Sequence, residues 1–319
     1  MAEAPLVDAI IIGGGPAGLS AAMTLGRQNH SVILFDSEQY RSAPSEALRL
    51  VPSWDGKPPS DLLAAARLEI KHYPQINIKS IEAASAAKRK EGYFEILDIF
   101  GTAHLGKKLI LANGVCETYP DINGYRECWG KSIFHCLFCD GYGLPDGRTS
   151  GVLAEQLIAI PRYAIHMAHM AAQLTSQVTI YTNGNSEVAS GIAKELGQTP
   201  KWKTDSRGIK SLQNICGGGS GIEIHFHDGS VVSEAFLAHS PLTRVRGQFA
   251  EQLGLELTPS GEYKVKSPTN QASVEGVYAA GDCMTNFKVT MNALASGSVT
   301  ASCVAIRLHE ERYGLPSLH

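Results

Sequence analysis

Apolar positions along this chain fall into short runs broken by glycine-rich or polar turns. Residues 7–12 are short and β-branched, which reads as a buried strand. Residues 16–26 follow with small side chains on one helical face, and residues 31–35 form a second strand-like run. Strand, turn, helix, strand is the rhythm of a βαβ unit. It returns at residues 155–174 and in the strand that follows, "QVTIY". Further strand-like runs stand at residues 108–112 and 273–280, and a last helix spans "NALASGSVTASCVAIRL". The pattern predicts an α/β protein, and 319 residues suffice for two domains, each with its own core.

The first turn carries chemistry. Gly13-x-Gly15-x-x-Gly18 lies between the first strand and the first helix, with Pro16 and Ala17 opening that helix. The first glycine suits a tight turn, the second lets backbone N–H groups approach a pyrophosphate, and the third allows close helix–strand packing. The helix N-terminus faces the negative charge. Asp36, ending the second strand, is placed for a ribose diol and would repel a 2′-phosphate. These forty residues fit either NAD or FAD.

Composition narrows the class. The chain is 44% apolar and 18% charged, and 28 Lys+Arg against 31 Asp+Glu leave a net charge of −3. That balance gives no case for nucleic acid or an acidic membrane as partner. No stretch approaches the roughly 18 apolar residues of a membrane span, and residues 9–12 are too short for a signal h-region. The C-terminal "LPSLH" is not a peroxisomal address. A cytoplasmic location is the expectation.

Seven cysteines (Cys116, Cys128, Cys136, Cys139, Cys216, Cys283, Cys303) are an odd number for a disulfide framework. Only Cys136 and Cys139, in "FHCLFCDGYG", form a constellation. Zinc asks for four N/S ligands, usually in two close pairs, and no second CxxC exists. His135 adjoins Cys136 and does not easily share its metal. His166 with His169, and His225 with His227, lie far off in sequence and read as surface or core packing. No metal is expected. A dithiol/disulfide switch fits the two-residue spacing better.

The residues 273–283, "SVEGVYAAGDC", resemble the second flavin signature of the two-dinucleotide-domain flavoproteins, in which the aspartate of Gly-Asp binds the ribityl chain. That resemblance assigns FAD to Gly281 and Asp282, and "KLILANGV" matches the family's strand and Ala-x-Gly turn, here Ala112 and Gly114. With Cys-x-x-Cys-Asp in the middle, the whole chain resembles the low-molecular-weight thioredoxin reductases. The resemblance implies two Rossmann-like dinucleotide-binding domains, the FAD domain being split by an inserted NADPH-like one: 1–117, 118–245 and 246–319. It places the last helix with its N-terminus, Thr290 and Met291, at the flavin. "AHSPLTRVRG" resembles the strand returning to the FAD domain, with Ala238 where glycine is usual.

The inserted domain departs from the pattern. Ala159, Ile160 and Pro161 stand in the expected phosphate cradle, with no glycine between Gly151 and Gly184. Side chains there, and a proline without an N–H, obstruct backbone contact with a pyrophosphate. Thr182, Asn183, Gly184 and Asn185 replace the arginine cluster of a 2′-phosphate site. The expectation is a degenerate domain that does not use NADPH.

The chain thereby resembles the thioredoxin-reductase-like dithiol oxidases of fungal epidithiodiketopiperazine clusters, the gliotoxin-oxidase type. That resemblance implies a small-molecule dithiol as substrate, dioxygen as final acceptor with hydrogen peroxide as product, and a homodimer. It implies that Cys139 lies against the flavin, that Cys136 exchanges with substrate, and that Asp140 moves protons, with His135 able to share that role. Leu137 and Phe138 suit an apolar substrate or internal packing, and residues 40–59 form a candidate pocket wall. Two other readings use the same residues: a disulfide reductase fed by NADPH or ferredoxin, and a non-enzymatic flavin redox sensor.

Overall fold

The computed structural model describes residues 5–143, 148–196, 202–215 and 221–318. Cys216 lies outside them. The chain divides into two compact units, one of residues 1–43, 51–116 and 243–319, the other of residues 44–50 and 117–242.

The first unit opens with β1 (Leu6–Ile12), α1 (Pro16–Arg27) and β2 (Val32–Phe35), then α2 (Pro59–Ile70), β3 (Ile76–Lys79), β4 (Ala83–Lys88), β5 (Phe94–Asp98) and β6 (Ala103–Leu111). The strand β7 (Val115–Thr118) carries the chain into the second unit. β1 pairs in parallel with both β2 and β6, with Ile12 level with Phe35 and Leu111.

Successive side chains of a strand point to opposite faces. Here Ala9 and Ile11 join one core with Leu19, Ala22, Leu25, Val304 and Leu308, while Ile10 and Ile12 join another with Phe35, Phe94, Ile96 and Phe249. Both faces of the sheet are covered, which explains why β1 reads as a nearly unbroken apolar run.

The second unit contains α3 (Tyr125–Cys128), β8 (Ile133–Phe134), β9 (Thr149–Leu153), α4 (Pro161–Ala171), β10 (Gln177–Tyr181), α5 (Ser186–Leu196), β11 (Trp202–Asp205), β12 (Ile209–Asn214), β13 (Ile222–Phe226), β14 (Val231–Glu234) and β15 (Leu237–Ala238). A parallel sheet runs β11-β10-β9-β15-β8, and β12-β13-β14 form an antiparallel sheet. One face of the parallel sheet packs on α4 through Val152, Ile180, Ala164 and Ala168. The other packs on the antiparallel sheet through Leu153, Tyr181, Ile222 and Phe226.

After β16 (Leu242–Val245) the chain completes the first unit with α6 (Phe249–Leu253), β17 (Val265–Lys266), β18 (Gln271–Ala272), β19 (Val277–Ala279) and α7 (Thr290–Tyr313). β19 extends the first parallel sheet beside β6. The expected α/β class, with two Rossmann-like units, is what the chain adopts. Among the described residues, no helix is long and apolar enough to cross a membrane.

α1 and α7 touch at backbone distance. A Cβ placed on Gly297 would stand 2.1 Å from the Ala17 carbonyl oxygen, and a backbone atom in a helix cannot give way cheaply. Gly297→Ala is therefore expected to lower stability by about 1–3 kcal/mol, read as a fall in thermal midpoint. An unchanged midpoint would show that the two helices separate freely.

Glu234 gives a second prediction. It is 4% exposed, accepts the Tyr181 hydroxyl at 2.6 Å, and burial raises its pKa. The folded state therefore favours the protonated acid, and stability falls as pH rises from the ordinary glutamate range through the folded value. Thermal midpoints of Glu234→Gln relative to the natural chain should rise as the pH climbs above the ordinary glutamate value of 4.5. A pH-independent difference would contradict this.

Candidate active site

The redox motif sits on the turn that follows β8. Cys136 and Cys139 are joined by a disulfide, with Cα atoms 5.3 Å apart. The N–H groups of Cys139 and Asp140 both donate to the Cys136 carbonyl, at 3.0 and 3.1 Å, so the short ring is held as a tight turn. Its two intervening residues take opposite roles. Leu137 is 6% exposed and packs in the core beneath α4, whereas Phe138 is 73% exposed. The anchor is internal, and the ring beside the sulfurs faces outward. Both cysteines are partly exposed and His135 is exposed.

Asp140 has its carboxyl pKa raised by burial, with the positive charge of Arg49 opposing part of that shift. A carboxyl raised in this way exchanges a proton closer to neutral pH. Arg49 comes from the segment 44–50, which belongs to this unit. Pro44 of the same segment lies against Gly130, where an added Cβ would be 3.2 Å from the proline Cβ.

In the first unit the glycine turn closes on the strand ends. Gly13 has φ +115°, and a Cβ there would stand 2.2 Å from the Ala112 carbonyl oxygen. Gly18 packs against Gly13 in the same way. Gly15 differs: the place of its missing side chain is open space, with nothing within 4 Å. Gly15 is also the N-cap of α1 and has no side-chain cap, and Pro16 and Ala17 begin the helix. The first N–H groups of α1 are thus left for a ligand, the arrangement that receives phosphate at a helix N-terminus.

Asp36 borders this turn, since a Cβ on Gly14 would meet its carboxyl group. The carboxylate is buried and accepts from the Glu38 N–H and the Tyr40 hydroxyl, each at 2.8 Å, and from Arg67. Asp282 pairs with Arg41 at 3.2 Å, and the Gly281 N–H donates to Ser296 Oγ at 2.9 Å. Gly114 follows Asn113, whose side-chain amide donates to the Tyr263 hydroxyl while its Oδ1 stays buried without a partner. Thr290 and Met291 start α7, which also lacks a side-chain cap.

The structure therefore gathers Gly13, Gly15, Pro16, Ala17, Gly18, Asp36, Ala112, Gly114, Gly281, Asp282, Thr290 and Met291 in one unit. It holds His135, Cys136, Cys139 and Asp140 in the other. Sequence reasoning missed Arg67 and Ser296, and places Tyr40 and Arg41 only within the candidate pocket wall 40–59. None belongs to a local motif, and Arg67 reaches Asp36 across 31 residues.

The corresponding strand end of the second unit is built differently. After β9 come Ala154, Glu155 and a 3-10 turn, Gln156–Ala159, and α4 begins at Pro161 with Ile160 as its cap. Glu155 Oε1 accepts the Asn183 amide at 2.7 Å, and Asn183 Oδ1 accepts the Ile209 N–H at 2.7 Å. Gln156 donates to the Thr118 carbonyl and accepts the Leu242 N–H, both at 2.9 Å. Protein side chains thus bridge the ends of β9 and β10, where a dinucleotide would need open backbone. Glu155 thus places a carboxylate at the end of β9.

A family profile described as pyridine nucleotide-disulphide oxidoreductase matches residues 7–297. Thioredoxin reductase tcpT of Claviceps purpurea is 42% identical over 100% of this chain and 99% of its own. Thioredoxin reductase aclD of Aspergillus oryzae is 38% identical over 96% and 97%. Among solved structures, a putative thioredoxin reductase TrxB from Bacillus anthracis superposes with a TM-score of 0.85. It is 27% identical and covers 96% of this chain and 100% of its own.

FAD is the cofactor of this family. The open cradle at Gly15, the uncapped N-termini of α1 and α7 and the unpartnered Asn113 Oδ1 fit such a group. Gly13 to Gly18 would hold its pyrophosphate, Asp36 its adenosine ribose and Asp282 its ribityl chain. The chain belongs to the pyridine nucleotide-disulphide oxidoreductases, as a thioredoxin-reductase-like flavoprotein.

Proposed function

We propose that this protein oxidises a small-molecule dithiol to a disulfide, with dioxygen as final acceptor. The observation that carries the proposal is the bridged strand end of the second unit, where Glu155 and Asn183 take the place of a nucleotide cradle. Without that cradle, electrons have no pyridine-nucleotide entrance, and the redox pair runs from substrate inward.

A substrate thiolate attacks Sγ of Cys136, the Cys136–Cys139 bond breaks, and Cys139 leaves as a thiolate that takes up a proton. The second substrate thiol, deprotonated, attacks the substrate sulfur of the mixed disulfide and releases Cys136 as a thiolate. The substrate leaves as a disulfide, having lost two electrons and two protons. Asp140 carries the proton at Cys139, a task suited to a carboxyl whose pKa burial raises. FAD, when bound, supplies the two-electron acceptor that restores the protein disulfide and passes the pair to dioxygen, giving hydrogen peroxide.

The exposed ring of Phe138 beside the sulfurs favours an apolar substrate, consistent with a dithiol of the diketopiperazine type. A cytoplasmic homodimer belongs to the same reading. The relatives bear the name thioredoxin reductase, and reduction of a disulfide is the competing reading.

Mixing the aerobic flavoprotein with a dithiol diketopiperazine should consume one dioxygen and form one hydrogen peroxide per dithiol. Cys136→Ser and Cys139→Ser should each abolish turnover, and Asp140→Asn should slow it by about 100-fold. No oxygen uptake with any small dithiol, alongside reduction of a disulfide by a supplied donor, would overturn the oxidase reading.

A further inference from the structure

The parallel sheet of the second unit changes character along one face. Leu153 of β9 and Tyr181 of β10 pack there against Ile222 and Phe226 of the antiparallel sheet. Side chains alternate along a strand, so Thr149 on β9 and Gln177 and Thr179 on β10 share that face. Gln177 stands level with Thr149, and Thr179 with Lys203 of β11. A cleft of about 520 Å³ lies over this polar end of the face, and Lys203, Arg207 and Glu234 also line it. Its volume suits a small molecule, for which pockets of about 300–1,000 Å³ are usual. The cleft covers β9, β10 and β11, whereas the disulfide turn follows β8 at the opposite edge of the sheet.

A polar row facing solvent needs no ligand. Glu234 is different. It ends β14 and is only 4% exposed. Its Oε1 accepts the Tyr181 hydroxyl at 2.6 Å, and its Oε2 is buried with no hydrogen-bond partner among the described residues. Tyr181 and Thr149 flank the carboxyl group and ease its ionisation in part, but Oε2 stays unsatisfied. A buried acceptor without a donor is destabilising, and an apolar side chain of similar size would avoid that cost.

The nearby guanidinium is already engaged. Arg207 Nε donates to both carboxylate oxygens of Asp205 at 3.0 and 3.1 Å, and its Nη1 donates to Ser230 Oγ at 2.6 Å. Its guanidinium also lies 3.9 Å above the Phe226 ring. Lys203 is exposed, on the outermost strand of the sheet. The cleft thus has an acceptor in need of a donor at its floor and an ammonium group at its rim.

We propose that this cleft binds a small zwitterion, a free α-amino acid, with its ammonium group on Glu234 and its carboxylate toward Lys203. An ammonium on a carboxylate makes a charge-assisted hydrogen bond, and at the buried end salt screens it little. The contact with exposed Lys203 contributes less. The threonine hydroxyls and the Gln177 amide can pair with either end of the ligand. These residues belong neither to the flavin-binding set nor to the redox turn.

The test is calorimetric titration of the full-length flavoprotein, with FAD bound, by each common α-amino acid and by glycerol. At least one amino acid should bind saturably, one per chain, at millimolar concentration or below. Its N-acetyl form should not bind, and its carboxamide form should bind a few-fold more weakly. Glu234→Gln should weaken binding by about ten-fold or more, and Lys203→Met by a few-fold. Thr179→Met, which fills the cleft and leaves Glu234 in place, should abolish binding, with folding of each variant checked by its thermal midpoint.

No saturable binding of any amino acid would overturn the proposal. Equally tight binding of glycerol, or amino-acid binding unchanged by Thr179→Met, would also overturn it. The readout is binding alone, so it does not depend on which way the redox pair runs.

Discussion

The absence of room for a Cβ at Gly13, Gly18 and Gly297 is the constraint on which the first unit is arranged. It brings the N-terminus of α1 against the ends of β1 and β6, and brings α7 against the same turn. The hydrogen-bond donors at the start of α1 are then left uncapped beside the open space at Gly15. Close packing on one side of the turn and vacancy on the other are two results of the same missing side chains. That combination admits a pyrophosphate.

The second unit repeats the architecture with a different strand end. Its parallel sheet is covered on both faces, and its strand ends open toward a helix start, as in the first unit. There the carboxylate of Glu155 and the amide of Asn183 hold each other across the ends of β9 and β10. The disulfide of this unit joins two partly exposed cysteines, with an outward Phe138 between them and a half-buried acid, Asp140, following.

What the sequence made legible was local. Gly13-x-Gly15-x-x-Gly18, the strand before it and Asp36 all lie within residues 6–36, and the rules of a βαβ turn fix their relations. The Cys-x-x-Cys-Asp turn is likewise a matter of spacing. The loss of glycines after β9 was visible as letters, but its physical form was not. The bridge from Glu155 to Asn183 spans 28 residues, and the 3-10 turn at Gln156–Ala159 sets α4 back from the end of β9. Arg67 on Asp36 is likewise a product of packing, without a sequence signature. The segment 44–50 shows the same limit: it precedes the inserted stretch in the chain, yet it packs in the second unit and sets Arg49 opposite Asp140.

The central claim is the direction of electron flow. The measurement that bears on it most directly is rapid anaerobic mixing of the oxidised flavoprotein with NADPH, and separately with a small dithiol, while the flavin absorbance is followed. The account predicts bleaching by the dithiol and an unchanged flavin with NADPH. Rapid bleaching by NADPH would contradict it.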